Sequence, residues 1–337
     1  MMEEHQLGGK LLASVSRSFY LTLKALPEGL REPLSLAYLL ARAADTIADT
    51  AGVPESLKTE CLREFDQVVQ SEVRNATGEA ALCERLRIEF IPGQTDLDEA
   101  HLLERLHEAF DALWKFPARQ LANIRGVLTP IVRGQLLDIE RFPVDGQLRS
   151  LNTSSDLDEY TWLVAGCVGE FWTRLCGEEL DQAFSVETTL EKQIERGIRF
   201  GKGLQLVNIL RDISKDAGMG RCYLPAEELS AAGLTLDDVK RDPATLAHLL
   251  PKWQKLCQDH LQCGIEYIDA VEHKRLRYAT ALPLLLGIRT LSLIEKASWE
   301  ERRQGVKVTR SEVAKVMLEA GVASLRRGGL RKMAERM

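Results

Sequence analysis

No Cys-x-x-Cys pair, no His-Glu-x-x-His motif and no Cys/His cluster occurs in the chain, despite its seven cysteines and six histidines, so a zinc site is not expected. The cysteine count is odd, and the N-terminus MMEEHQLGGK lacks the charged-then-apolar order of a secretory signal. The thiols are therefore read as reduced, without a disulfide framework, and the protein as cytoplasmic. Apolar stretches such as Leu282 to Ile288 fall far short of the roughly 18 to 20 residues of a membrane span. Positive charge is not in excess: 44 Lys and Arg stand against 50 Asp and Glu, a net −6. That balance argues against a nucleic-acid partner and requires any anionic ligand to be held locally. Low-complexity linkers, fixed-period repeats and alternating strand patterns are missing too. Gly201-Lys202-Gly203 has neither a preceding strand nor the third glycine of a dinucleotide-binding loop.

What is present is 337 residues of ordinary globular composition, 45% hydrophobic and 28% charged. Apolar residues recur at three- and four-residue spacing, which predicts an all-α protein. Helices are expected over about 5–24, 30–50, 55–74, 98–115, 118–139, 156–177, 187–214, 242–272, 276–300 and 309–325. Breakers separate them at Pro27 and Gly29, Gly52 and Pro54, Pro92 and Gly93, Pro143 to Gly146, Gly218 to Gly220, and Gly305. Without a polar connector between them, these helices are expected to pack as one domain over 1–337.

Two of the segments carry acidic pairs. At roughly 100° per residue, Tyr38, Arg42, Asp45 and Asp49 form one polar stripe on a helix of otherwise small and apolar residues. Gln205, Asn208, Asp212 and Asp216 align in the same way on a second helix, surrounded by Leu204, Leu206, Val207, Ile209 and Leu210, so that helix is expected to be buried nearly all round. Carboxylates one turn apart repel and call for a cation. Hard oxygen ligands on rigid helices suit Mg²⁺, which commonly takes one or two carboxylates, several waters and a substrate phosphate. Either pair alone is read first as a solvated helix face; it is the two together that point to a ligand. Arg42 and Arg211 lie beside the pairs, and Arg17 and Arg221 are near in sequence; guanidinium is well shaped for phosphate oxygens, so a diphosphate fits.

Five motifs occur in order: Ser16-Arg17-Ser18-Phe19-Tyr20, the Tyr38 to Asp49 helix, Tyr160 to Gly169, Gly203 to Asp216, and Gly220 to Pro225. Over about residues 14 to 300 the chain resembles the squalene and phytoene synthase family, most specifically in Leu-Gln-Leu-Val-Asn-Ile-Leu-Arg-Asp followed by Gly-Arg-Cys-Tyr-Leu-Pro. The resemblance implies an isoprenoid-synthase helical fold with a central active-site cavity, and a Mg²⁺-dependent prenyltransferase. It implies metal ligation by Asp45, Asp49, Asp212 and Asp216. Diphosphate binding would fall to Ser16, Arg17, Ser18, Arg42, Gln205, Asn208, Arg211 and Arg221. Tyr160 would assist proton removal or stabilise a cation, and Tyr38 and Phe19 would offer aromatic faces to carbocations. Ala165, Gly166 and Gly169 would let a neighbouring helix or a prenyl tail approach closely.

Asp45-Thr46 resembles squalene synthases more than the Asp-Asp of bacterial phytoene synthases, which points to farnesyl diphosphate as substrate. Val306 to Arg310 resembles the basic segment linked to NADPH use, with Lys307 and Arg310 as its cations. The implied reaction is head-to-head condensation to presqualene diphosphate and reduction to squalene. The alternatives are presqualene diphosphate or phytoene formation without reductant, and a helical scaffold that has lost catalysis. The chain departs from the family pattern at Lys215, commonly Glu, and at Thr161, frequently Cys. No obligate protein partner is evident. The basic tail of about 326–337 suits either peripheral contact with anionic lipid or a solvated terminus.

Overall fold

Leu36, Leu39, Leu40, Ala43, Ala44 and Ile47 recur at helical spacing, and in the structure all six are fully buried along one helix. The structure is a computed structural model describing residues 7–16, 19–326 and 328–337. Two compact units are distinguishable: residues to Glu140 with Arg174–Glu179, and Arg141–Thr173 with Leu180–Met337.

In the first unit a π turn at Leu7–Leu11 leads into α1 (Leu12–Ser16) and α2 (Phe19–Ala25), followed by α3 (Arg31–Asp49) and α4 (Glu55–Gln70). Next come α5 (Ala76–Glu89), α6 (Leu97–Glu104), α7 (Leu106–Leu113) and α8 (Ala118–Arg141). The apolar stripe of α3 packs against α4 and α7. There Phe65 and Phe110 meet at 5.9 Å between ring centroids. Burying one stripe of α3 leaves its Tyr38–Asp49 stripe pointing elsewhere, which is what frees those side chains for a ligand.

The second unit contains α9 (Ser154–Thr161), a π turn at Trp162–Gly166, the start of α10 (Cys167–Glu179) and the 29-residue α11 (Leu190–Gly218). Its remainder is α12 (Ala226–Ala231), α13 (Leu236–Arg241), α14 (Leu250–Asp269), α15 (Lys274–Lys296), α16 (Trp299–Gln304), α17 (Arg310–Ala323) and α18 (Gly329–Ala334). α11, α14 and α15 pack on one another as its core. The π turn and α10 approach α11 through glycine: a Cβ on Gly169 would lie 1.9 Å from the Gly197 carbonyl oxygen, and one on Gly201 would lie 2.2 Å from that of Ala165. The small residues around Gly169 therefore serve helix approach.

Among the described residues, eighteen α-helices and one two-residue parallel ladder make this an all-α protein, as the periodicity predicts. The ladder pairs Arg149–Ser150 (β1) with Arg221–Cys222 (β2). α15 is the one helix described that is long and apolar enough to cross a membrane by length and composition; half of its apolar window is buried inside the protein. All seven cysteines are free thiols.

Candidate active site

In the first unit the α3 stripe forms as predicted. The Phe19 and Tyr38 rings meet at 5.2 Å, and the Tyr38 hydroxyl donates to the Val15 carbonyl at 3.1 Å. One helical turn further, Arg42 pairs with Glu99 of α6 and approaches Asp45 at 3.9 Å. Arg42 Nε is buried and has no acceptor among the described residues. Burial acts to lower the Arg42 pKa, but Glu99 and Asp45 outweigh it and hold the guanidinium above its ordinary value.

Asp45 is the most perturbed carboxylate. Its side chain is 34% exposed, yet protein surrounds it closely enough that burial pushes its pKa up to about 7. Asp49 and Glu99 add to the rise; Arg42 and a hydrogen bond from Gln135 Nε2, at 2.5 Å, oppose it. Asp49 is exposed at the end of the same stripe. A divalent cation at this face would reverse the Asp45 shift, so the donor set fits Mg²⁺. Among the described residues no three His, Cys, Asp or Glu side chains converge on a metal position. Two carboxylates per face nonetheless suit an ion that keeps water and phosphate oxygens in its shell.

In the second unit Leu206, Val207, Ile209, Leu210 and Ile213 bury the apolar flanks of α11. Its polar stripe reaches solvent, which corrects the expectation of a helix buried nearly all round: Asn208 is exposed, and Gln205, Asp212 and Asp216 are half-buried. Hydration of that stripe costs nothing and leaves it open to a ligand. Asn208 donates to Gln205 at 3.3 Å, and Arg211 grips Asp212 through two bonds of 2.9 and 2.6 Å. That fork holds the Arg211 pKa above its ordinary value. Lys215 is exposed.

Two residues past the end of α11, Gly220, with a φ of +83°, turns the chain into β2. A Cβ there would lie 2.8 Å from the Gln147 carbonyl oxygen, so glycine is required twice over. The turn sets Arg221 and Asp216 on the wall of one small cavity of about 10 Å³, together with Tyr223. The Tyr223 ring stacks on Tyr160 at 4.8 Å, their hydroxyls 3.3 Å apart, and Phe142 meets it edge-on at 5.2 Å.

Several sequence expectations find different surroundings. The Ser16 hydroxyl donates to the Leu12 carbonyl of its own helix. Arg17 and Ser18 lie outside the described residues. Lys307 and Arg310 are exposed where Thr309 and Glu312 form the capping box that starts α17. Thr161 is buried, and its hydroxyl donates to the Asp158 carbonyl at 3.0 Å. Sequence reading missed Glu99, Gln135, Phe142 and Tyr223. Tyr223 alone left a signal, since it stands two residues after Arg221 in Gly-Arg-Cys-Tyr-Leu-Pro.

With the helices and the two acid-and-arginine faces described, the class is an all-α fold shared with solved structures. A ligand complex of TcSQS superposes with a TM-score of 0.74 over 97% of this chain and 87% of that one, at 22% identity. Residues 12–312 match the squalene/phytoene synthase family, and the chain belongs to it. It is 32% identical over 233 residues to a bifunctional lycopene cyclase/phytoene synthase of Phaeosphaeria nodorum, covering 68% of this chain and 35% of that protein. It is 28% identical over 291 residues to a squalene synthase of Eremothecium gossypii, covering 85% of this chain and 61% of that one. The chain thus spans less than two thirds of either relative's length.

Proposed function

We propose that this protein joins two farnesyl diphosphates head to head to presqualene diphosphate and reduces the product to squalene with NADPH. The observation that carries the reading is Asp45: a carboxylate pushed up to about 7, one turn from Asp49 and beside a guanidinium with an unused buried donor. Such a face calls for a cation and an anionic oxygen together. The second Asp pair with its own arginine on α11, and the family membership, support the same chemistry.

Asp45 and Asp49, and Asp212 and Asp216, are the residues to hold Mg²⁺, which when bound would offset charge on the departing diphosphate. Arg42 on the first acidic face, and Arg211 and Arg221 on the second, would supply positive charge for diphosphate oxygens. Breaking the C1–O bond of one substrate leaves an allylic cation, whose charge the Phe19–Tyr38 pair can face. The double bond of the second substrate then forms the new C–C bond, and loss of a proton closes a cyclopropane. Tyr160, whose hydroxyl lies 3.3 Å from that of Tyr223, would relay that proton to the released diphosphate, the stronger base. Lys307 and Arg310 would meet the phosphates of NADPH, which would supply hydride to the cation left when the second diphosphate departs.

One observation favours a second reading, in which presqualene diphosphate or phytoene is released without reductant: Arg310 lies within, and Lys307 just before, a capping box that already accounts for the segment as a helix start. The test is incubation with farnesyl or geranylgeranyl diphosphate, with and without Mg²⁺ and NADPH, followed by mass spectrometry of the lipid. Squalene made only with NADPH supports the first reading, presqualene diphosphate regardless of NADPH the second. Asp49→Asn and Asp212→Asn should each lower diphosphate release about 10³-fold with helix content unchanged; full activity in both would rule out the metal faces, and only a parent chain inactive on both diphosphates would leave a helical scaffold.

A further inference from the structure

Helix α17 turns its apolar residues to both sides. Val316 and Ala320 are buried on the inner face, as an amphipathic helix requires. Leu318, Val322 and Leu325, at i, i+4 and i+7, lie on the outer face and the turn that follows, 73%, 64% and 68% exposed. No other helix among the described residues exposes more than one large apolar side chain. Leu318 and Val322 border an open groove of about 910 Å³ between α17 and α18, which Met333 and Met337 also line, and Leu325 is exposed beside it.

The groove is cationic as well as apolar. Of the two acids lining it, Glu312 is held by Arg289 at 2.6 Å and Glu319 faces Lys315 at 3.8 Å. Both are neutralised from within, and Arg326, Lys332 and Arg336 remain as its net charge. Residues 310–337 contain seven Lys and Arg against three Asp and Glu, a net +4 in a chain of −6. Exposed leucine and valine beside clustered arginine and lysine is the arrangement that suits an interface of acyl chains and anionic headgroups.

We propose that α17, α18 and the groove between them dock this protein on an anionic membrane surface, with Leu318, Val322 and Leu325 entering the headgroup layer and Arg326, Lys332 and Arg336 meeting lipid phosphates. The charge commits the occupant: a second copy of this chain would bring the same positive groove to the contact, and like charges oppose that pairing. Membrane docking is independent of the reaction proposed above and is read without it.

The full chain is mixed with phosphatidylcholine vesicles, with and without phosphatidylglycerol, and flotation is measured at low and high salt alongside the oligomeric state by sedimentation. Flotation with the phosphatidylglycerol vesicles, screened by salt, is expected. Leu318→Glu with Val322→Glu should lower the bound fraction roughly tenfold or more, and Lys332→Glu with Arg336→Glu should abolish the preference for the anionic vesicles. All four positions are exposed or at the rim, so helix content by circular dichroism should not change. Absence of flotation overturns the proposal, as does equal binding by the variants. A dimer that Leu318→Glu dissociates, without flotation of the parent chain, would assign the face to a second copy and overturn it too.

Discussion

The side-chain amide of Gln135, on α8, donates to Oδ1 of Asp45, on α3, at 2.5 Å across ninety residues of sequence. It favours the ionised carboxylate that burial disfavours. Gln135→Leu should raise the Asp45 pKa further and weaken Mg²⁺ by about tenfold, at ~1 to 2 kcal/mol for a charge-assisted hydrogen bond. A Mg²⁺ titration of diphosphate release checks this; an unchanged midpoint would show that the amide does not hold the carboxylate.

Tyr160 and Tyr223 separate function from packing. Tyr160→Phe keeps the ring stacked at 4.8 Å and removes one hydroxyl. Thermal stability should fall by only ~1 kcal/mol, whereas kcat should drop about 100-fold with KM nearly constant if the hydroxyl serves the proton step. Tyr223→Ala empties space against both Phe142 and Tyr160 and should cost ~3 kcal/mol. Steady-state kinetics beside thermal melts distinguishes the two.

Gly169→Ala puts a methyl 1.9 Å from the Gly197 carbonyl oxygen, a backbone atom with nowhere to yield. A loss of ~3 kcal/mol or more is expected. Gly126→Ala in α8 meets nothing within 4 Å and should instead stabilise by ~0.5 to 1 kcal/mol. Chemical denaturation of the pair supplies its own control.

His260 is buried, with its Nδ1 accepting from Arg199 Nε at 3.3 Å. Burial pushes its pKa from 6.5 down to about 4, helped by Arg199 and Lys202 and opposed by Asp158 and Asp259. The unfolded chain therefore binds the extra proton first, and the contribution of this histidine is complete above about 6.5 and lost as pH falls towards 4. At most roughly 3 kcal/mol is involved. Denaturation midpoints of the parent chain and of His260→Gln, measured between these limits, should converge as the pH is lowered.

Legibility followed the range of the interactions. The long helices were visible because burial of Leu36 to Ile47, or of Leu206 to Ile213, repeats at the helical period within one stretch of chain. α5 was not: in Ala76–Glu89 only Glu79, Leu82 and Leu86 are buried, and Glu79 is held inside by the Arg74 guanidinium and by Trp114 Nε1, which donates to it from a distant segment at 2.9 Å. The short helices α12, α13 and α18 span six residues each, too few for a period to register. The β1–β2 ladder has two residues per strand and joins segments far apart in the chain, so no alternation announces it.

At the candidate site the division is the same. Which face of α3 carries Tyr38, Arg42, Asp45 and Asp49, and which face of α11 carries Gln205, Asn208, Asp212 and Asp216, follows from 3.6 residues per turn and needs only local sequence. That Glu99 takes up Arg42, that Gln135 reaches Asp45 and that Tyr223 lies on Tyr160 are matters of which segments meet. Periodicity is a property of neighbours along the chain, whereas a carboxylate's charge state depends on whatever burial and partners folding brings to it, and those arrive only with the tertiary structure.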